Sequence, residues 1–251
     1  MTRRYSLLLL ATLATGPAPA LAQQGGINLS WNDCGAYGQS LETFACNTNV
    51  GTHRLVASFV SPLPLTQLEG VDVIVDMAFL QPTVPSWWMA QSGGCRTPAI
   101  TSNADFSAGP SSCGDPWGGA VLSAANVQPG VPFPNRVRLR ALAAVYPANT
   151  PVTVDDVTEY YAVEFVIGNQ KTVGPAACAG CNEPACVLLT SIKLVQSVGV
   201  GDYTLTNPLT NQLVGWQCQA AIGHGGCYFD PYSCTTPTRN PTWGAIKGMY
   251  R

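Results

Sequence analysis

The chain has 251 residues, only 10% of them charged, with 12 Lys and Arg against 14 Asp and Glu. No basic stripe is present, which speaks against nucleic acid as a partner. Abundant Gly and Pro, and the scarcity of 3.6-residue periodicity, exclude a helical bundle and point to an all-β protein.

In the first residues, Arg3 and Arg4 precede the apolar run SLLLLATLAT, and Ala20-Leu21-Ala22 reads as a secretory cleavage site. The run is far shorter than the ~20 residues that span a bilayer. The expected mature chain, Gln23–Arg251, is therefore secreted, to the periplasm or beyond, without a transmembrane segment. It carries ten basic and fourteen acidic residues, a net charge of −4.

The elements that follow are short and extended. INLSW (27–31) opens a lead-in region, 23–49, that also holds a disulfide loop. A sandwich is expected over 50–197. It begins with HRLVASFVS (53–61) and LEGVDVIVDMAFL (68–80), where Asp72 and Asp76 mark the wetter of two alternating faces. In NRVRLRALAAVYP (135–147), Arg136, Arg138 and Arg140 alternate with Val137, Leu139 and Ala141. In EYYAVEFVIGN (159–169), the alternation predicts Tyr161, Val163, Phe165 and Ile167 on one face. CVLLTSIKLVQ (186–196) closes the sandwich. DYTLTN (202–207) and LVGWQC (213–218) fall in a Cys- and Gly-rich extension, 198–251. Thr242 can cap a short C-terminal helix there, with Trp243, Ile246 and Tyr250 on one structural face. The fold class is an antiparallel β-sandwich, and Pro, Gly, Asn and Ser clusters break its strands.

EYYAVEFVIGN, the Gly- and Pro-containing loop after it, and the strand CVLLTSIKLVQ are similar to the closing strands of cohesin-like and related bacterial carbohydrate-binding sandwiches. The whole chain also resembles small exported proteins of environmental bacteria. The resemblance implies a jelly-roll or cohesin-like module that binds a protein or a polysaccharide through a sheet face. It carries over no binding residue, because no binding motif is matched.

All ten cysteines lie beyond the cleavage site, and an even number in an exported chain reads as disulfides. Cys34–Cys46 and Cys95–Cys113 are expected to pair, since each would close a short polar loop. Cys178, Cys181, Cys186, Cys218, Cys227 and Cys234 are expected to form three further bonds in an open choice of pairings. Cys178-Ala-Gly-Cys181 has the C-x-x-C spacing, but no second C-x-x-C accompanies it. His224, near Cys218 and Cys227, is better explained by a Gly-rich turn than by zinc. No metal or cofactor is expected.

Trp87 and Trp88 stand in PSWWMAQSGGC. Ser86 as a cap and Gly93 as a stop favour a helical turn with both indoles in the core, so both are read as structural. Trp117, beside Asp115 in the loop GDPWGG, is the candidate for an exposed sugar-stacking ring and, with Asp115, the candidate ligand site. Catalytic signals are thin. GHGG (223–226) resembles an esterase oxyanion loop, but G-x-S-x-G and H-E-x-x-H are both absent. Asp72 and Asp76 would stand ~13 Å apart along a strand, too far for a glycosidase pair. Asp155-Asp156-x-x-Glu159 reads as a solvated turn rather than a calcium loop. These observations favour an exported, non-enzymatic binding protein. A secreted hydrolase and a structural component of an extracellular assembly remain as alternatives.

Overall fold

The computed structural model describes residues 25–147 and 149–217. Two β-sheets face each other across one apolar core. The smaller sheet has the order β1 (Gly26–Trp31), β3 (Thr52–Val60), β9 (Tyr160–Gly168) and β5 (Ile100–Asn103). The larger runs β2 (Leu41–Glu42), β12 (Leu213–Trp216), β10 (Ala185–Gln196), β4 (Leu65–Phe79), β7 (Arg136–Val145) and β6 (Val121–Pro129). Two short strands extend it: β8 (Val152–Val154) pairs with β4, and β11 (Tyr203–Leu205) pairs with β10. Every pairing is antiparallel except that of β2 with β12. The all-β sandwich expected from strand periodicity is thus present, but it is not confined to 50–197. β1 and β2 come from the lead-in region, and β11 and β12 from the extension. The signal segment and Trp243, Ile246 and Tyr250 lie outside the described residues.

Period-two patterning builds the core directly. Val71, Val73, Val75 and Met77 of β4 are buried opposite Ala143, Ala141, Leu139 and Val137 of β7. In β9 the pattern breaks. A bulge at Ala162 shifts the register between Ala57 and Ser58 of β3, so Val163 pairs with Ala57 but Tyr161 pairs with Ser58. One extra residue moves every side chain beyond it to the opposite face. Val163, Phe165 and Ile167 therefore face the core, whereas Tyr161 turns to the outer side. There it stacks on Phe106 with ring centroids 4.3 Å apart, and Tyr160 packs toward Phe59 instead.

The outer side of the smaller sheet is roofed. Asn28 and Ser58 donate to Glu159 Oε1 at 2.8 and 2.5 Å, and the Tyr161 hydroxyl donates to Asp33 Oδ1 at 2.7 Å. Cys34–Cys113 then staples the loop after β1 to the loop that carries Phe106 and Trp117. Gly35, at φ +45°, sits where a Cβ would lie 2.4 Å from the Glu159 carboxylate, so a side chain there would be strained and would push that carboxylate from its place.

The disulfides correct the local scheme. Cys34 bonds Cys113, Cys46 bonds Cys181 and Cys95 bonds Cys178. Cys34 and Cys46 part because β2, between them, pairs with β12 and carries the following chain to the far end of the larger sheet. Cys95 is held against the 171–178 loop, where Lys171 Nζ donates to its carbonyl. Cys178 and Cys181 have different partners, so this C-x-x-C is neither a redox dithiol nor a zinc clasp. Cys186 is also disulfide-bonded. Cys218, Cys227 and Cys234 lie outside the described residues.

Candidate functional site

The sequence-predicted site residues sit in different surroundings. Trp117 is 2% exposed, and its indole N–H donates to the Ala162 carbonyl at 3.2 Å under the roof. An indole so placed offers no free ring to a sugar, which corrects the stacking assignment. Asp115 Oδ1 accepts from the Trp117 amide at 2.9 Å and shapes the turn that inserts the ring. Gly, Pro and Asp made this loop look solvated, but it is the lid of the smaller sheet.

Trp87 and Trp88 are fully buried in a single 3-10 turn, Ser86–Trp88. Pro85, not Ser86, precedes the turn, which ends at Met89, well before Gly93. The two indoles meet edge to face at 4.8 Å. Arg96 lies over Trp87 with its guanidinium carbon 3.3 Å from the ring centroid.

Asp155 Oδ1 accepts the amides of Val157 and Thr158, which closes a turn and keeps its carboxyl below the ordinary range. Glu159 instead serves Asn28 and Ser58. Among the described residues, the only grouping with metal-like spacing is Cys34, Cys113 and Glu159. Its two sulfurs are bonded to each other and are not thiolate donors.

The outer face of the larger sheet differs from the roofed one. Arg138 of β7 stands directly opposite Asp76 of β4, and its Nε and Nη2 donate to the two carboxylate oxygens at 2.8 and 2.9 Å. Thr190 of β10 adds a third donor at 3.2 Å. Arg140 reaches diagonally to Asp72, with Nε and Nη2 at 2.9 and 2.5 Å. These carboxylates hold both guanidinium groups above their usual basicity, whereas burial lowers that of Arg136. Two planar forks thus cross-link β4 and β7 and neutralise the middle of the face.

Beyond the forks lies an apolar patch. Leu122 of β6 pairs with Ala144 of β7, and Ala124 pairs with Leu142. The two leucines are therefore diagonal neighbours on one face, 54% and 48% exposed, with both alanines exposed between them. A depression of ≈ 350 Å³ borders the patch, lined by Glu69, Ala144, Tyr146 and Asn149 among others. Sequence reasoning missed β6 altogether. Val121, Ser123, Ala125 and Val127 alternate with wetter positions before Pro129-Gly130, a signal obscured by two small alanines in succession.

No protein-family model and no curated protein matches the chain. Among solved structures it shows distant similarity to bacterial cohesin modules. One is the cohesin module from a Clostridium perfringens ATCC13124 family 33 glycoside hydrolase, with a TM-score of 0.36 and 11% identity, covering 77% of this chain and 97% of that one. Another is a type II cohesin domain from the cellulosome of Acetivibrio cellulolyticus, with a TM-score of 0.30 and 9% identity, covering 77% and 95%. Among the described residues no helix is long and apolar enough to cross a membrane. Multiple disulfides are consistent with an extracytoplasmic protein.

Proposed function

We propose that this chain is an exported, non-catalytic β-sandwich that binds a protein partner through the outer face of β6, β7 and β4. One observation carries the reading: Leu122, Ala124, Leu142 and Ala144 form an exposed apolar patch on a sheet face pinned by two arginine–carboxylate forks. A preformed apolar patch beside polar groups is the usual anatomy of a protein-binding surface. The ion-paired sheet keeps its shape on binding, so little ordering entropy opposes association. The opposite sheet's outer side is occupied by the chain's own loops. Polysaccharide is the weaker alternative, because every tryptophan among the described residues is buried.

The test replaces Leu142 with Asp. Wild-type and variant proteins, immobilised on beads, are exposed to the culture medium and cell envelope of the producing organism. A protein retained by the wild type and lost from the variant, with unchanged thermal melting, supports the reading. Identical retention by both, or retention of polysaccharide alone, rejects it.

A further inference from the structure

The charges that β4 and β7 present on the outer face do not match in number. Arg136, Arg138 and Arg140 line β7, against Asp72 and Asp76 on β4. Arg138 takes both oxygens of Asp76, which stands opposite, and Arg140 takes both oxygens of Asp72 on its diagonal. Arg136 stands opposite Ala78 instead. The acid on its own diagonal is Asp76, already bonded by Arg138 and Thr190. One guanidinium group is left over.

Among the described residues the Arg136 side chain has no ion pair and no hydrogen bond, and its Nε–H is buried without a partner. Burial lowers its pKa, and the charge of Asp76 opposes this. The surroundings are largely apolar. Ala78 packs with Cys186, Leu41 and Leu213. Phe133, whose carbonyl accepts the Arg136 amide, is an exposed hydrophobic residue, and so is Leu80, two residues past Ala78. A buried N–H that meets no acceptor costs stability where it stands.

The same placement suits Arg136 to an incoming anion. A cation beside apolar groups attracts an opposite charge more strongly than one in open water. The face itself shows which anion fits, since its other two guanidinium groups each hold a carboxylate in a two-bond fork. One unpaired cation balances one carboxylate. A phosphate monoester carries nearly two charges. It would meet only one cation, on an expected mature chain with more acidic than basic residues.

We propose that Arg136 takes an aspartate or glutamate side chain of the protein partner. This deepens the reading of the face as a protein-binding surface and rests on it. Arg136 and Leu142 lie on the same side of β7, six residues and roughly 20 Å apart by strand rise. A partner seated along β7 meets the apolar patch at one end and the free cation at the other. Between them the two forks are neutral. Arginine anchors are common at protein interfaces, and complementary charge fixes the partner's register.

The test follows the arginine Nε–H signals of the mature protein by nitrogen-15 NMR, with Arg136→Gln assigning that of Arg136. Acetate, added at constant ionic strength, should move the Arg136 signal saturably, whereas acetamide, its neutral isostere, should not. The signals of Arg138 and Arg140, already held by Asp76 and Asp72, should stay in place. Arg136→Gln should melt no lower than wild type, because it breaks no hydrogen bond. No saturable shift with acetate, a larger one with inorganic phosphate, or marked destabilisation by Arg136→Gln overturns the proposal. Beads carrying Arg136→Glu separate it from the reading on which it rests. A protein lost from Leu142→Asp but fully retained by Arg136→Glu overturns the carboxylate contact and leaves the face a protein-binding surface. A protein lost from both variants, together with the acetate shift, supports the contact. An acetate shift with no protein retained by wild type supports the carboxylate site and rejects protein binding at the face.

Discussion

Asp76 and Arg138 face each other across β4 and β7 and share two parallel hydrogen bonds of 2.8 and 2.9 Å on the outer face of the larger sheet. The carboxylate is almost wholly buried, while Arg138 keeps part of its surface in water. Removing one partner of such a pair strands the other. Breaking a fully buried pair costs roughly 3–5 kcal/mol, and the partial hydration of Arg138 lowers this figure. Asp76→Ala should therefore destabilise by about 2–3 kcal/mol. Asp72→Ala should cost under about 1 kcal/mol, since Arg140 is much more exposed. Urea denaturation of both variants checks the ranking, and equal losses would contradict it.

His53 makes stability depend on pH. Its Nε2 meets Asn169 Oδ1 at 2.9 Å, and its ring packs on Phe44 with centroids 4.1 Å apart. Burial lowers its pKa; the Asn169 contact opposes this, and the charge of Arg96 adds to it. In the unfolded chain a histidine titrates near 6.5. The folded state thus binds its proton less readily than the unfolded one. This contribution is fully present above about pH 6.5 and is lost as pH falls from there through the depressed folded value. Melting temperatures of wild type should decline across this window before the carboxylates titrate. In His53→Gln the decline should be shallower. Parallel curves for the two proteins would reject the assignment.

The Cys34–Cys113, Cys46–Cys181 and Cys95–Cys178 disulfides span 79, 135 and 83 residues. In the chain-entropy account, loops of about 100 residues contribute roughly 4–5 kcal/mol each. Cys46→Ser/Cys181→Ser should accordingly be a severe double substitution, comparable to or worse than Cys34→Ser/Cys113→Ser. Non-reducing peptide mapping should recover 34–113, 46–181 and 95–178 as linked fragments. A 34–46 or 95–113 fragment would contradict the fold described.

Strand identity was legible because period two survives in a single sequence. Val71, Val73, Val75 and Met77 announce a buried face, and Arg136, Arg138 and Arg140 announce a solvated one. The Asp76–Arg138 fork was not legible, since it depends on β4 and β7 being neighbours, a fact held in neither segment alone. The disulfides failed for the same reason: short spacing suggested local pairs, while β2 carried Cys46 elsewhere. Tyr161 was misplaced because a bulge at Ala162 leaves no mark in residue type. Trp117 was misread because a lid and a solvated loop share one composition. The apolar patch was overlooked because Leu122 belongs to a strand whose small alanines disguise its alternation.

The two adjacent tryptophans allow the sharpest energetic test. Trp87 donates its indole N–H to Thr172 Oγ1 at 2.9 Å, whereas the Trp88 indole N–H, equally buried, has no partner among the described residues. A hydrogen bond adds about 1 kcal/mol net, and an orphaned buried donor costs rather than stabilises. Trp87→Phe should therefore lose more stability than Trp88→Phe, although the two remove the same atoms. Arg96 sharpens the contrast. It is fully buried, donates to the carbonyls of Trp87, Gly168 and Gln170, and holds its guanidinium carbon over the Trp87 ring. Arg96→Lys keeps the charge but cannot serve three carbonyls in one plane. Arg96→Met would leave those carbonyls unpaired, at about 1–3 kcal/mol for each that finds no water. Because ring and guanidinium act together, Trp87→Leu and Arg96→Met should be non-additive, with a coupling of roughly 0.5–3 kcal/mol. A double-mutant cycle by urea denaturation measures it. Simple additivity would mean that Arg96 braces the carbonyls alone and that its stacking on Trp87 contributes nothing to stability.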